Sequence, residues 1–200
     1  MDKIATLEHL SDEELASKIA EGARSLFEEL ISRYSRRLFY FLRHRTESDQ
    51  DIEDLVQETF LKAFKGIDRF DPERKFSTWL YTIANREAVS HHRANKKMKH
   101  SQTGTSSLPG PEEVVIQKEE SQNIWELATT LPKKEYEALW LFYAEEMPIK
   151  DIARVTKKSP VTVRVLLYRA RSKLAERIDK KAFSKNIAQA SPAKHKFSPL

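Results

Sequence analysis

Two hundred residues at 23.3 kDa with 40% hydrophobic content suffice for globular cores, and two compact domains of about 80 residues each fit that length best. The absence of cysteine excludes disulfide frameworks, zinc fingers, Fe–S clusters and thiol catalysis, and the four glycines form neither a GxGxxG nor a GxxxxGK[ST] phosphate cradle. No apolar run reaches the roughly 18 residues of a membrane span, Asp2 and Glu8 interrupt any leader at the N-terminus, and a cytoplasmic protein is expected.

Helical periodicity dominates and strand alternation is nearly absent, so the expected fold class is all-α, with two small helical domains joined by a flexible linker. Ser11 with Glu14 three residues on makes a capping box that opens a first helix at Asp12, with Leu10 placed to staple against Leu15; the helix frays near Gly22. Phe27, Leu30, Ile31, Tyr34, Leu38 and Phe41 recur at spacings of three and four and predict a second helix ending before Thr46. Asp49 or Asp51 opens a third, with Ile52, Leu55, Val56, Thr59, Phe60 and Ala63 inward and an acidic first turn that suits the positive end of the helix dipole. Gly66 breaks it, and residues 67–75 (IDRFDPERK) read as a loop because Pro72 disfavours helix at Asp71. Ser77 or Thr78 is expected to cap a fourth helix carrying Trp79, Leu80, Ile83, Ala84 and Val89.

Residues 101–111 (SQTGTSSLPGP) have linker composition, which sets the expected organisation as a first domain over 1–98, a linker over 99–120, a second domain over 121–180 and a disordered tail over 181–200. In the second domain Ile124, Leu127 and Leu131 line one helix, and Pro132 takes the first helical position of another carrying Tyr136, Leu139, Trp140 and Tyr143. Pro148 starts a short helix with Ile149, Ile152, Ala153 and Val155; after a break at residues 156–159, Ser159 caps a last helix with Pro160 at its first position.

Charge is segregated. Residues 47–58 hold six acids and no Lys or Arg; residues 86–100 hold five bases against Glu87 with three histidines interleaved; residues 159–181 hold seven bases against two acids. Each block alone reads as a solvated helix face, but two basic faces and one acidic face together suit an anionic ligand gripped twice and a separate basic partner. The short helix, tight turn and longer basic helix over residues 148–174 meet the requirements of a DNA-reading helix-turn-helix. Val163, Leu167, Ala170, Leu174 and Ile178 form its inward stripe, which leaves Thr162, Arg164, Val165, Leu166, Tyr168, Arg169 and Arg171 on the outer faces. Lys157 stands where such turns commonly place glycine, and a positive φ there would cost on the order of 1 kcal/mol.

Residues 51–64 (DIEDLVQETFLKAF), 76–84 (FSTWLYTIA), Thr162-Val-Arg164 and Tyr168-Arg-Ala-Arg171, in this order, resemble a bacterial RNA polymerase sigma factor of the extracytoplasmic function type, over roughly residues 12–178. The resemblance implies a transcription initiation factor with core polymerase, its β′ clamp helices in particular, promoter DNA and an anti-sigma factor as partners. It places core binding on Asp51, Asp54, Gln57, Glu58 and Leu61 of the third helix, of which Asp54, Gln57, Glu58 and Leu61 share one face. It places minus 10 contacts on Phe64, Lys65, Arg69, Phe70, Lys75, Phe76, Asn85, Arg86, Arg93, Lys96 and Lys97, with a base flipped out near residues 66–75. Aromatics beside cations suit stacked single-stranded bases, although core packing is the ordinary role for Phe64, Phe76 and Trp79. Minus 35 contacts fall on Lys158, Ser159, Thr162, Arg164, Val165, Tyr168, Arg169 and Arg171.

Two departures from the family pattern leave assignments open. Asn85 stands six residues after the Trp where many relatives have Asn at seven, so either Asn85 or Arg86 takes the strand-contacting role. Val165-Leu166 replaces a common Ser-Arg, and these apolar residues suit either a thymine methyl or a protein partner. His91 and His92 project about 100 degrees apart, which is poor metal geometry, and no cofactor, metal or catalytic constellation is expected. A stand-alone helix-turn-helix regulator is the rival reading; it leaves the acidic helix and the aromatic loop unexplained.

Overall fold

The computed structural model describes residues 9–46, 48–99 and 119–189, with backbone alone at 95–99, 119–123 and 179–189. The linker expected over 99–120 therefore lies largely outside the described residues, as does the tail beyond 189. All regular structure among the described residues is helical, in eight α-helices: α1 Asp12–Ala20, α2 Phe27–Leu42, α3 Asp49–Gly66, α4 Phe76–Lys99, α5 Glu119–Ala128, α6 Lys133–Tyr143, α7 Ile149–Thr156 and α8 Pro160–Gln189.

The first unit, α1 to α4, grows from local caps into one apolar core. Ser11 Oγ accepts from the Glu14 N–H at 3.2 Å while Glu14 Oε2 accepts from the Ser11 N–H at 2.8 Å, which is the expected capping box. The cap of α3 is Ser48, whose Oγ accepts from the Asp51 N–H at 3.3 Å. The start of α4 differs from the expectation. Phe76 is already helical, so Ser77 and Thr78 lie inside the first turn, and the Phe76 N–H donates to Glu13 Oε1 of α1 at 2.9 Å. A tertiary carboxylate thus does the work of a local cap, and it is negative where the helix dipole is positive.

Leu15, Ile19, Leu30, Tyr34, Leu38, Phe41, Ile52, Leu55, Phe60, Phe76, Leu80 and Tyr81 fill the centre of this unit. Aromatic rings meet edge to face inside it, Tyr34 with Phe76 at 5.6 Å and Phe41 with Tyr81 at 4.9 Å, adding about 1 kcal/mol each to area burial. Ile31 and Val89, expected inward, are exposed; Ile31 sits at the edge of a stripe already filled by Phe27 and Tyr34, four and three residues away. A 3₁₀ turn over Ile67–Arg69 follows α3, and Ile67 is buried there instead of belonging to an open loop.

In the second unit Trp125, not Ile124, packs inward from α5, its ring 4.9 Å from that of Trp140; Ile124 is exposed and Leu131 is buried beyond the helix end. Pro132 is the N-cap of α6, one position earlier than expected, and Pro148 takes the same place before α7. Val163, Leu167, Ala170 and Leu174 form the buried stripe of α8 as expected, Ile178 is exposed, and Leu166 is buried where the outward reading had placed it. Helix α8 continues through Gln189, past the end of its apolar pattern.

The two units meet. α4 packs on α7, and the C-terminal end of α2 reaches α6, where the Tyr40 ring stacks on Trp140 at 5.7 Å and Tyr136 Oη donates to the Tyr40 carbonyl at 3.1 Å.

Candidate functional site

On α3, Asp54, Gln57 and Leu61 are exposed on one face, and this face continues across Glu87, Ser90 and His91 of α4 as an open groove. Lys62 ties two of the acids together, pairing with Glu58 at 3.3 Å and with Glu87. Asp51 is turned toward the groove's end, where Oδ2 accepts from Thr46 Oγ1 at 2.9 Å and Oδ1 lies 3.8 Å from His91 Nε2. The structure therefore brings Asp54, Gln57, Glu58 and Leu61 together, as their spacing requires, and leaves an exposed leucine amid carboxylates.

The expected minus 10 residues separate into two sets. Lys65, Arg69, Lys75, Arg86 and Arg93 are exposed, with Lys75 lying 3.9 Å from Glu13. The side chains of Lys96 and Lys97 lie outside the described residues. The aromatics close on themselves: Phe70 packs on Phe76 at 5.6 Å and on Trp79 at 5.4 Å, and Phe64 meets Phe27 at 5.0 Å under the Arg24 guanidinium. Arg24 is held there by Asp68 at 3.1 Å. Phe76 is fully buried. Asn85 is buried too: its Nδ2 donates to the Val155 carbonyl of α7 at 2.8 Å and its Oδ1 accepts from Arg45.

Asn85 belongs to a polar seam between the units that sequence reasoning missed. Glu145, whose side chain has 0% exposure, accepts from Arg37 Nη2 at 2.6 Å, Arg37 Nε at 3.1 Å and Tyr81 Oη at 2.6 Å. Burial pushes its carboxyl above the ordinary range, against the pull of Tyr81 and Arg37, and burial followed by the Glu145 charge pushes the Tyr81 phenol well up. Glu137 lies 2.8 Å from Arg45 Nε, off the hydrogen-bond axis. Burial raises the Glu137 carboxyl and lowers the Arg45 guanidinium, the signature of an ion pair that does not fully offset its own desolvation. Beside them the His44 ring lies 3.9 Å from that of Tyr136, and burial, then Arg43 and Lys133, bring its pKa down to about 4. The only sequence signal for this seam was a charged residue, Glu137, set between Tyr136 and Ala138 in the run of α6 that is otherwise apolar from Tyr136 onward.

The helix-turn-helix is formed by α7 and α8. Lys157 closes α7 in the left-handed region at φ 53°, as its position implied, and the Lys158 N–H returns to the Ala153 carbonyl at 3.0 Å. Ser159 Oγ accepts from the Thr162 N–H at 3.1 Å and sets the entry of α8. Thr162, Arg164, Val165, Tyr168 and Arg169 are exposed along that helix. Lys158 is half-buried, and Arg171 is held back, its Nε donating to Tyr143 Oη at 2.8 Å and its guanidinium lying over the Phe142 and Tyr143 rings.

These two units match known families in the same order: the model for Sigma-70 region 2 matches residues 30–98 and that for Sigma-70, region 4 matches residues 121–174. An ECF RNA polymerase sigma-E factor of Haemophilus influenzae is 29% identical over 184 residues, covering 86% of this chain and 97% of that protein. The chain belongs to the sigma-70 family, in its extracytoplasmic function branch. Among solved structures, CnrH in complex with the cytosolic domain of CnrY is similar at 25% identity and a TM-score of 0.59, over 84% of this chain and 97% of that one. The fold is shared with the sigma factor RpoE of Bartonella quintana, solved with the anti-sigma factor NepR, at 23% identity and a TM-score of 0.65 over 76% of this chain and 96% of that one. Among the described residues of this sigma-70 family protein, no helix is long and apolar enough to cross a membrane.

Proposed function

We infer that the protein is an alternative sigma factor, a transcription initiation factor that binds core RNA polymerase and recognises minus 35 and minus 10 promoter elements. The observation that carries this is the region 2 match followed by the region 4 match in a chain that spans 97% of a curated sigma-E relative. Its relatives are initiation factors, not enzymes, and no catalytic residue or cofactor is assigned; the expected compartment is the cytoplasm.

The assignment by residue builds on placement. The exposed acidic face of α3, with Asp54, Gln57, Glu58 and Leu61 and with Asp51 at its end, is the proposed contact for the β′ clamp helices of core polymerase. Carboxylates around one leucine provide a charged rim and an apolar centre for such a contact. Lys65, Arg69, Lys75, Arg86 and Arg93 supply cations for the melted minus 10 strand, with the partly buried Phe64 and Phe70 as the rings proposed for stacking. Between the two open candidates, exposure favours Arg86 over Asn85, which is engaged by Val155 and Arg45. A role for Asn85 on the strand requires α7 to leave α4. Ser159, Thr162, Arg164, Tyr168 and Arg169 of α8 are the proposed minus 35 contacts, with Lys158 beside them and Arg171 positioned by Tyr143. An anti-sigma protein, as accompanies the Bartonella relative, is the expected regulatory partner.

Run-off transcription from a pool of promoter fragments, with sigma-free bacterial core polymerase and this protein, tests the reading. Discrete start sites that need the protein are expected. Duplex binding with no new start sites would establish a stand-alone regulator instead.

A further inference from the structure

The solvent face of α8 carries apolar side chains that contribute nothing to the core. Val161, Val165 and Tyr168 are 66%, 42% and 70% exposed. On a helix that turns about 100 degrees per residue, Val163, Leu166, Leu167, Ala170 and Leu174 centre the buried side, and Val161, Val165 and Tyr168 centre the side about 170 degrees away. The apolar stripe is thus the middle of the exposed face, not the frayed edge of the core. Thr162 and Arg169 border it on one flank and Arg164 on the other.

This placement restricts what can cover the stripe. Its flanking arginines favour a polyanion, and it occupies the N-terminal half of the second helix of a helix-turn-helix, the part that enters the major groove. Valine offers no donor or acceptor, so it cannot read guanine or adenine edges. The apolar group that base edges present in the major groove is the thymine C5 methyl. We propose that Val161 and Val165 are specificity-determining residues that read thymine methyl groups in the minus 35 duplex, so that this protein selects A·T pairs by apolar contact at the first turns of α8. The proposal rests on the initiation-factor reading. Four residues advance about 6 Å along the helix and base pairs are about 3.4 Å apart, so the two methyls belong to pairs one or two steps from each other. Leu166 takes no part, since it is buried in the core.

The test uses holoenzyme assembled from core polymerase and the full chain, on a promoter fragment recovered by run-off transcription. Each thymidine of the minus 35 element is replaced in turn by deoxyuridine, which removes the methyl and nothing else, and promoter affinity is measured. One or two positions are expected at which the replacement weakens binding about fourfold, the factor that one buried methyl group corresponds to. Val161→Ala and Val165→Ala, each at an exposed helical position that alanine suits, weaken the thymidine fragment by a similar factor and abolish the sensitivity at one position apiece. Affinity unchanged by every deoxyuridine overturns the proposal and leaves the stripe to a protein contact. So does equal sensitivity in the wild type and both alanine variants, or a minus 35 element with no thymine on either strand. Failure of the underlying reading looks different, because then no protein-dependent start site is obtained.

Discussion

In Glu145→Ala the polar seam between the units loses its centre while both apolar cores keep theirs. Glu145 Oε1 and Oε2 together accept two bonds from Arg37 and one from Tyr81. Arg37 is 41% exposed and turns to water at small cost, but the Tyr81 hydroxyl stays in a fully buried ring without the acceptor it had. An orphaned buried hydroxyl costs about 1–3 kcal/mol, and with part of the ion pair lost the docking of α4 on α7 weakens by about 2–4 kcal/mol. Since 1.4 kcal/mol is tenfold, the docking equilibrium shifts on the order of thirtyfold to a thousandfold toward separated units. Small-angle scattering reads this as a larger radius of gyration, and circular dichroism as unchanged helix content. Glu145→Gln, which keeps an acceptor for Tyr81, shifts the equilibrium by about 1 kcal/mol. A scattering curve for the alanine variant that superimposes on the wild type, or a loss of helix content, refutes the reasoning.

His44 makes the folded protein acid-sensitive: its pKa of about 4, below the ordinary 6.5, means stability present at neutral pH is lost as pH falls from 6.5 through 4, about 1–2 kcal/mol by pH 5. The raised carboxyls of Glu137 and Glu145 act in the opposite sense, so the His44 contribution is read as the difference between wild type and His44→Phe in urea melts at pH 7 and pH 5; equal differences at the two values contradict it. Lys157→Gly removes a side chain from a left-handed residue at φ 53° and raises the stability of the second unit by about 0.5–1 kcal/mol, measured as a rise in Tm; a fall disproves the strain. Leu61→Glu, at an exposed position, lowers affinity for core polymerase at least about tenfold and leaves Tm within a degree or two; unchanged affinity removes α3 from the interface.

Local rules make most of each unit legible in the amino-acid sequence. The Ser11–Glu14 box, the Ser159–Pro160 start and the left-handed Lys157 are decided within four residues of chain, and the inward stripes of α3 and α8 follow from the helical period. The features that escape such rules are tertiary. Phe76 enters α4 without a Ser or Thr cap because Glu13, 63 residues away, accepts its N–H. Leu166 lies beside Val165 on an apparently outward face, yet only Leu166 is covered, because the width of a buried stripe depends on which helices surround it and not on the period of one. The same holds for the expected site. The acidic face of α3 is a property of one helix and is readable from its spacing; the burial of Asn85 depends on α7 and is not.

The chemistry of the seam differs from that of the cores it joins. Inside each unit the contacts are Leu, Ile, Val and aromatic rings, whose burial is favourable at about 25 cal/mol per Å² with nothing to offset it but chain entropy. Across the seam the polar contacts are Arg37 and Tyr81 with Glu145, Asn85 with the Val155 carbonyl and Arg45 with Glu137, and at the last pair desolvation offsets the Coulomb gain on both partners. The upward shifts of both carboxyls and the downward shift of Arg45 make that desolvation visible as proton affinity, whereas Arg37, lowered by burial, is raised overall by the Glu145 charge. A seam of this kind is specific, because a lone member left buried is expensive. It is also weak in net terms, because water or another protein's charges can replace the partners. Tyr40 on Trp140 and His44 on Tyr136 supply ring contacts beside these polar pairs. On the proposed reading, in which α3 and α8 contact different parts of a large assembly, the cores must persist when α7 leaves α4, and placing the charged residues at the junction while keeping them out of the cores meets both demands at once.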